Sequence, residues 1–100
     1  MKVRFTDYTI NYSLTKQELG AKYPEIKRPI GVFDPNEKMI FIAKGLTAVE
    51  LESTLIHEIM EAINYDYGVG LTHHSKIDKL ERALYQVLTD LDIRISEYVN

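Results

Sequence analysis

One short stretch of the chain, Thr54-Leu55-Ile56-His57-Glu58-Ile59-Met60-Glu61-Ala62, carries an imidazole and two carboxylates at helical spacing. His57 and Glu61 are four residues apart, so on a helix they leave the same face, separated by roughly 40°. That spacing lets two side chains reach one metal ion without distorting the backbone, as on an H-E-x-x-H helix, although here Glu stands at the second ligand position. Glu58, roughly 100° round from His57, is placed to lie beside such an ion and act as a base toward a bound water. Tetrahedral zinc needs a third protein ligand and an open fourth position. The suppliers downstream are His73 and His74. Adjacent helical residues point roughly 100° apart, so one of the two faces the first helix, and spacing does not say which. If it is His74, then Asp78 and Glu81, four and seven residues on, share its face. Asp78 could accept the other imidazole N–H, and Glu81 is a reserve third ligand. The plainer expectation for both is that they are surface acids early in a helix. The plainer expectation for His57, Glu58 and Glu61, together with Glu50, Thr54 and Asn64, is a solvated polar face.

These residues need elements to hold them. Val3 and Phe5 alternate with polar neighbours, and Tyr8, Ile10 and Tyr12 alternate in the opposite phase, which predicts a hairpin turning at Thr6-Asp7. Thr15-Lys16-Gln17-Glu18 has the form of a capping box and predicts a short helix over 16–22, ahead of an irregular connection from Pro24 to Pro29. Ile30-Gly31-Val32-Phe33 and Met39-Ile40-Phe41-Ile42 flank Asp34-Pro35-Asn36-Glu37-Lys38, a strand–turn–strand pattern. Thr47 and Glu50 open a long helix that runs to the Gly68-Val69-Gly70 break. Thr72 or Ser75 caps another, with Ile77, Leu80, Leu84, Val87, Leu88 and Leu91 along one stripe and an end that reaches as far as Ile95 or Tyr98. The sum is an α+β domain spanning 1–100, a small antiparallel sheet of three to four strands in two hairpins, packed against two long helices. Tyr65, Tyr67 and Tyr85 are expected at the rim of its core.

Composition removes several function classes. There are no cysteines, so disulfides, thiolate metal sites and thiol nucleophiles are excluded, and any metal is held by His and carboxylate. Twelve Lys+Arg against fifteen Asp+Glu leave a formal charge of -3, without the cationic footprint of a nucleic-acid or anionic-lipid binder. Lys76, Lys79 and Arg82 form only a short basic run. The longest apolar run, residues 39–43, falls far short of the ~20 residues that span a bilayer. The N-terminus lacks the apolar core of a signal peptide, so the expected location is the cytoplasm.

The runs TLIHEIMEAINYDYG and LTHHSKIDKLERALYQVL resemble a group of small phage and mobile-element proteins, minimal zinc-metallopeptidase-like domains with an H-E-x-x-E motif that are distantly similar to the ImmA/IrrE metallopeptidases. The likeness covers roughly residues 30 to 91, with a weaker fit in the N-terminal hairpin. It implies a minimal zincin-like fold in a bacterial host cell and one zinc ion per chain, with His57 and Glu61 as ligands and Glu58 as the catalytic group. The group's downstream His stands three residues before an Ile, which is Ile77 here, so the resemblance selects His74 over His73. The larger peptidases of this type carry H-E-x-x-H. A second carboxylate lowers the charge of the site and makes zinc a weaker Lewis acid.

The expected function is a zinc-dependent metallohydrolase, a peptidase, in which His57, Glu61 and His74 hold zinc and Glu58 takes a proton from the zinc-activated water. An extended peptide or protein substrate would add to an exposed edge at residues 39–43. The alternative is a non-catalytic binding or regulatory protein of a phage or mobile element, with a structural or vestigial metal site and a partner protein in place of a substrate. Neither reading involves nucleic acid or a membrane.

Overall fold

The computed structural model describes residues 2–3, 8–70 and 74–94, with the side chains of all of these except 2, 3 and 74. Four strands are present: β1 (Lys2–Val3), β2 (Tyr8–Asn11), β3 (Gly31–Asp34) and β4 (Met39–Ile42). Three helices accompany them: α1 (Lys16–Lys22), α2 (Ala48–Tyr67) and α3 (His74–Asp90). The class is α+β, as the patterning predicts. The sheet order is β1-β2-β4-β3. Both expected hairpin pairings are antiparallel, but β2 and β4 run parallel, so the sheet is mixed. The α1 connection allows this, since a parallel pair needs a crossover segment rather than a tight turn. The predicted turn at Thr6-Asp7 lies outside the described residues.

β4 is an interior strand, and this corrects the expectation that residues 39–43 offer an edge. Ile40 and Ile42 point into a core with Tyr8, Ile10, Leu51, Leu55 and Ala62. Phe41 and Ala43 point to the other face, into a cluster with Leu19 and Val32 beneath α1. A strand buried on both faces reads as an unbroken apolar run. The edge strand next to β4 is β3 instead. Val32 faces α1, while Gly31 and Phe33 face α2.

Both predicted capping boxes form. Thr15 Oγ1 accepts from the Glu18 N–H at 3.1 Å, and Thr47 Oγ1 accepts from the Glu50 N–H at 3.1 Å. Each such cap stabilises its helix by about 1 kcal/mol. Gly68 ends α2 at φ 60, a left-handed conformation that glycine adopts without strain. α3 starts at His74, so Ser75 is not its cap, and Thr72 lies outside the described residues. It stops at Asp90. Asp92 at φ 56 and the Ile93 N–H donated to the Leu88 carbonyl at 2.8 Å close it in a Schellman motif, which answers how far the apolar stripe is helical. Tyr65 and Tyr67 are exposed rather than at the core rim, although Tyr65 meets Phe33 edge-on with ring centroids 5.6 Å apart. None of the helices among the described residues is long and apolar enough to cross a membrane.

A polar clip fixes α1 to the end of β3. The Tyr23 hydroxyl donates to Asp34 Oδ2 at 2.5 Å, and Asp34 Oδ1 accepts from the Asn36 and Glu37 N–H groups in the following turn. The Tyr23 bond, more than any other cause, holds the Asp34 carboxyl below its usual range. A depressed carboxylate adds stability above its unfolded-state pKa of 3.8 and loses it as pH falls through the lower folded value. Tyr23→Phe is therefore expected to cost about 1 kcal/mol at pH 7. In urea unfolding followed against pH, the gap to wild type narrows below pH 3.8; a gap independent of pH would remove the Asp34 contribution.

Candidate metal and acid–base site

α2 carries its chemistry where the sheet edge and α3 converge on it. The helices α2 and α3 pack as an antiparallel pair: Glu52 meets Tyr85, Ser53 meets Glu81, and His57 meets Asp78 and Glu81. On the sheet side, β3 comes so close to α2 that a Cβ at Gly31 would overlap Thr54 Cγ2 and lie 3.1 Å from Glu58 Oε2. Only a residue without a side chain fits there.

The arc expected to be a solvated polar face is consequently enclosed in part. Glu58 is 5% exposed and Thr54 is buried, while His57 and Glu61 are half-buried. The imidazole sits between Glu61 on one side and Asp78 with Glu81 on the other. Its Nε2 is 3.7 Å from Glu61 Oε1, and its Nδ1 is 3.5 Å from Asp78 Oδ1 and 3.6 Å from Glu81 Oε1. Asp78 and Glu81 are thus not free surface acids. They converge on His57, which brings the reserve third ligand Glu81 to the imidazole of the motif, whereas the sequence pairs Asp78 only with His74.

Among the described residues, two groups offer ligand atoms that all lie within 4.8 Å of one another: His57 with Glu58 and Glu61, and His57 with Asp78 and Glu81. The first is the trio singled out by the H-E-x-x-E spacing. His74 opens α3, but its side chain lies outside the described residues, as does the whole of His73.

Crowding of acids around one imidazole sets the electrostatics. Burial, followed by the charge of Glu61, pushes the Glu58 carboxyl up to about 8. The bond to Glu61 raises His57 to about 9 against the opposing effect of burial, with the charges of Glu58, Glu61 and Glu81 adding to the rise. Burial also raises Glu81. A cation would relieve this arrangement, since it favours the ionised form of every carboxylate near it.

Two hollows adjoin Gly31 and the α2 side chains at this point. One, of about 320 Å³, is lined by Ile30, Gly31, Ser53, Thr54, His57, Glu58 and Glu81. The other, of about 360 Å³, is lined by Ile26, Gly31, Val32, Phe33, His57, Glu58 and Glu61. Gly31, His57 and Glu58 line both. Ala43 donates its N–H to the Ile30 carbonyl at 2.8 Å, and ladder alternation then turns the N–H and C=O of Gly31 and Phe33 away from β4. The edge beside the site can therefore pair with a further strand.

Glu52 carries no motif that sequence reasoning could use, and Gly31 carries only the general sign of a glycine inside a strand. Glu52 is 1% exposed in α2, with its Oε1 3.4 Å from the Tyr85 hydroxyl and 3.6 Å from Arg94 Nη1, a buried anchor that orients α3 on α2. The chain matches no protein-family model, no curated protein and no solved structure.

Proposed function

We propose that this site binds a divalent metal, zinc by ligand chemistry, and serves hydrolysis of a peptide bond. The observation that carries the reading is the Glu58 carboxylate, buried against Gly31 and grouped with His57 and Glu61 so that all three offer ligand atoms within 4.8 Å of one another. That donor set, an imidazole with carboxylates and no thiolate, suits zinc with an open position. In this reading His57, Glu61 and His74 would hold the metal, which would supply Lewis acidity to a scissile carbonyl and to the attacking water.

The chain's own residues do the rest. Asp78 Oδ1 and Glu81 Oε1, at 3.5 and 3.6 Å from Nδ1 of His57, favour the tautomer protonated there, which leaves Nε2 as the ligand atom. Glu58 accepts the proton of the attacking water and returns it to the leaving amine. Gly31 lets the carboxylate stand beside the sheet edge. An extended peptide adds to β3 across Gly31 and Phe33, with its side chains entering the two hollows. The docking strand is thus β3 in place of residues 39–43.

Two outcomes test the reading. Chelator-sensitive cleavage of an unfolded polypeptide, restored by zinc, supports it; zinc bound at one per chain without cleavage would leave the alternative, a structural metal site in a binding protein. Asp78→Asn is expected to weaken zinc affinity about 10–100-fold. Titration with zinc against a competing chelator reads this directly, and an unchanged affinity would release Asp78 from orienting His57.

A further inference from the structure

We propose that two copies of this chain pair through α3, antiparallel, about a two-fold axis that passes beside Ala83. An amphipathic helix ordinarily turns its apolar stripe toward the core. α3 instead gives its polar side to α2, through Asp78, Glu81 and Tyr85. Most of its apolar stripe is therefore left uncovered by the described residues, although Ile77 is buried. Leu80, Leu84, Val87 and Leu91 are between 41% and 64% exposed. With the buried Ile77 they are spaced three, four, three and four residues apart, the heptad spacing of a helix seam that packs on another helix.

The charges along the border of that stripe specify the partner. Lys76, Ala83 and Asp90 are seven residues apart and share one side of it. A copy laid antiparallel about Ala83 brings each Lys76 to the other copy's Asp90, so both ends of the seam pair opposite charges. The small Ala83 at the centre lets the helices approach. The same register places the apolar side chains of one copy between those of the other along the axis, as knobs into holes. A parallel pair gains none of this, since Lys76 then lies level with Lys76 and Asp90 with Asp90. The contact is isologous and closes on itself, so it yields a dimer rather than a filament. Asp78 and Glu81 remain on the α2 side, and the pairing leaves the His57 site accessible.

Light scattering on the eluting full chain, followed over a wide concentration range, is expected to show twice the 11.6 kDa chain mass. The variant Leu84→Glu/Val87→Glu changes only exposed positions and is expected to elute at the monomer mass with an unaltered circular dichroism spectrum. Lys76→Asp is expected to weaken the dimer several-fold, and adding Asp90→Lys to the same chain to restore it. The chain lacks cysteine, so a single introduced thiol reports orientation. Ala83→Cys is expected to form a disulfide-linked dimer in air. Lys76→Cys is expected to stay unlinked, its two copies lying ~20 Å apart along the seam. A wild-type chain that is monomeric throughout would overturn the proposal, and so would a dimer indifferent to Leu84→Glu/Val87→Glu. Rapid linking of Lys76→Cys with none at Ala83→Cys would overturn the antiparallel arrangement.

Discussion

Replacing Gly31 by Ala is expected to lower the stability of this small protein by about 1–3 kcal/mol, the usual cost of forcing an extra carbon into a packed contact. For a chain of this size that is a fall of roughly 4–8 °C in Tm for each kcal/mol. The new methyl group would overlap Thr54 Cγ2 and press on Glu58 Cγ and Oε2 at 3.2 and 3.1 Å, so β3 and α2 have to move apart. Because the same glycine seats Glu58, hydrolysis is expected to fall further than stability, by about 10²-fold if the carboxylate shifts by an ångström. Gly20→Ala is the control with opposite sign. Gly20 lies within α1, where an added Cβ meets only Pro29 Cδ at 3.9 Å, and alanine there is expected to stabilise by about 0.5–1 kcal/mol. Thermal unfolding of the two variants against wild type separates a packing effect from a general response to losing a glycine. Equal Tm values for Gly31→Ala and wild type would mean that β3 and α2 are not pressed together.

Glu58→Gln is expected to reduce peptide hydrolysis about 10²–10⁴-fold while leaving the zinc stoichiometry at its wild-type value. Glutamine keeps the volume and the contact with Gly31 but takes no proton, so a loss of turnover with metal retained assigns Glu58 as the base. The alternative is concrete, because a Glu58 oxygen lies within ligand reach of His57 and Glu61. If the variant loses zinc along with turnover, Glu58 is a ligand and the base lies elsewhere. The metal-free fold tolerates the change, since burial already holds the Glu58 carboxyl up at about 8, mostly uncharged at neutral pH, and an amide is uncharged too.

Local signals in the chain proved the most readable. Thr15 with Glu18 and Thr47 with Glu50 announce helix starts that the structure places at Lys16 and Ala48. The 31–42 hairpin follows from its turn residues, because Asp34 Oδ1 caps the turn through the neighbouring Asn36 and Glu37 N–H groups. The trio His57, Glu58 and Glu61 was equally plain, being set by the pitch of one helix.

What was not readable depends on contacts between segments distant in sequence. The parallel pairing of β2 with β4 joins residues about thirty positions apart and leaves no local trace. The unbroken run at residues 39–43 did carry a signal, since only a strand covered on both faces needs no polar side, and it points to an interior strand rather than an edge. Asp78 and Glu81 looked like ordinary helix-surface acids because nothing local says that α3 turns its polar side inward. Glu52 carries no local signal for the same reason: its burial depends on Tyr85 and Arg94, far along the chain. Gly31 is a glycine in a strand, a position that often marks close backbone approach, yet the approaching partner is known only once α2 is in place.

The central claim is that His57 anchors a metal on α2, and the most direct test is calorimetric titration of zinc into the chelator-treated full chain, wild type beside His57→Ala. His57 is half-buried at the junction of α2 and α3, so a circular dichroism spectrum of the variant accompanies the titration. The account predicts one zinc per chain for wild type, with proton release as the crowded acids and the imidazole give up their protons, and no saturable binding for a folded His57→Ala. A wild-type chain that takes up no zinc, or a His57→Ala variant that binds it as well as wild type, would contradict it.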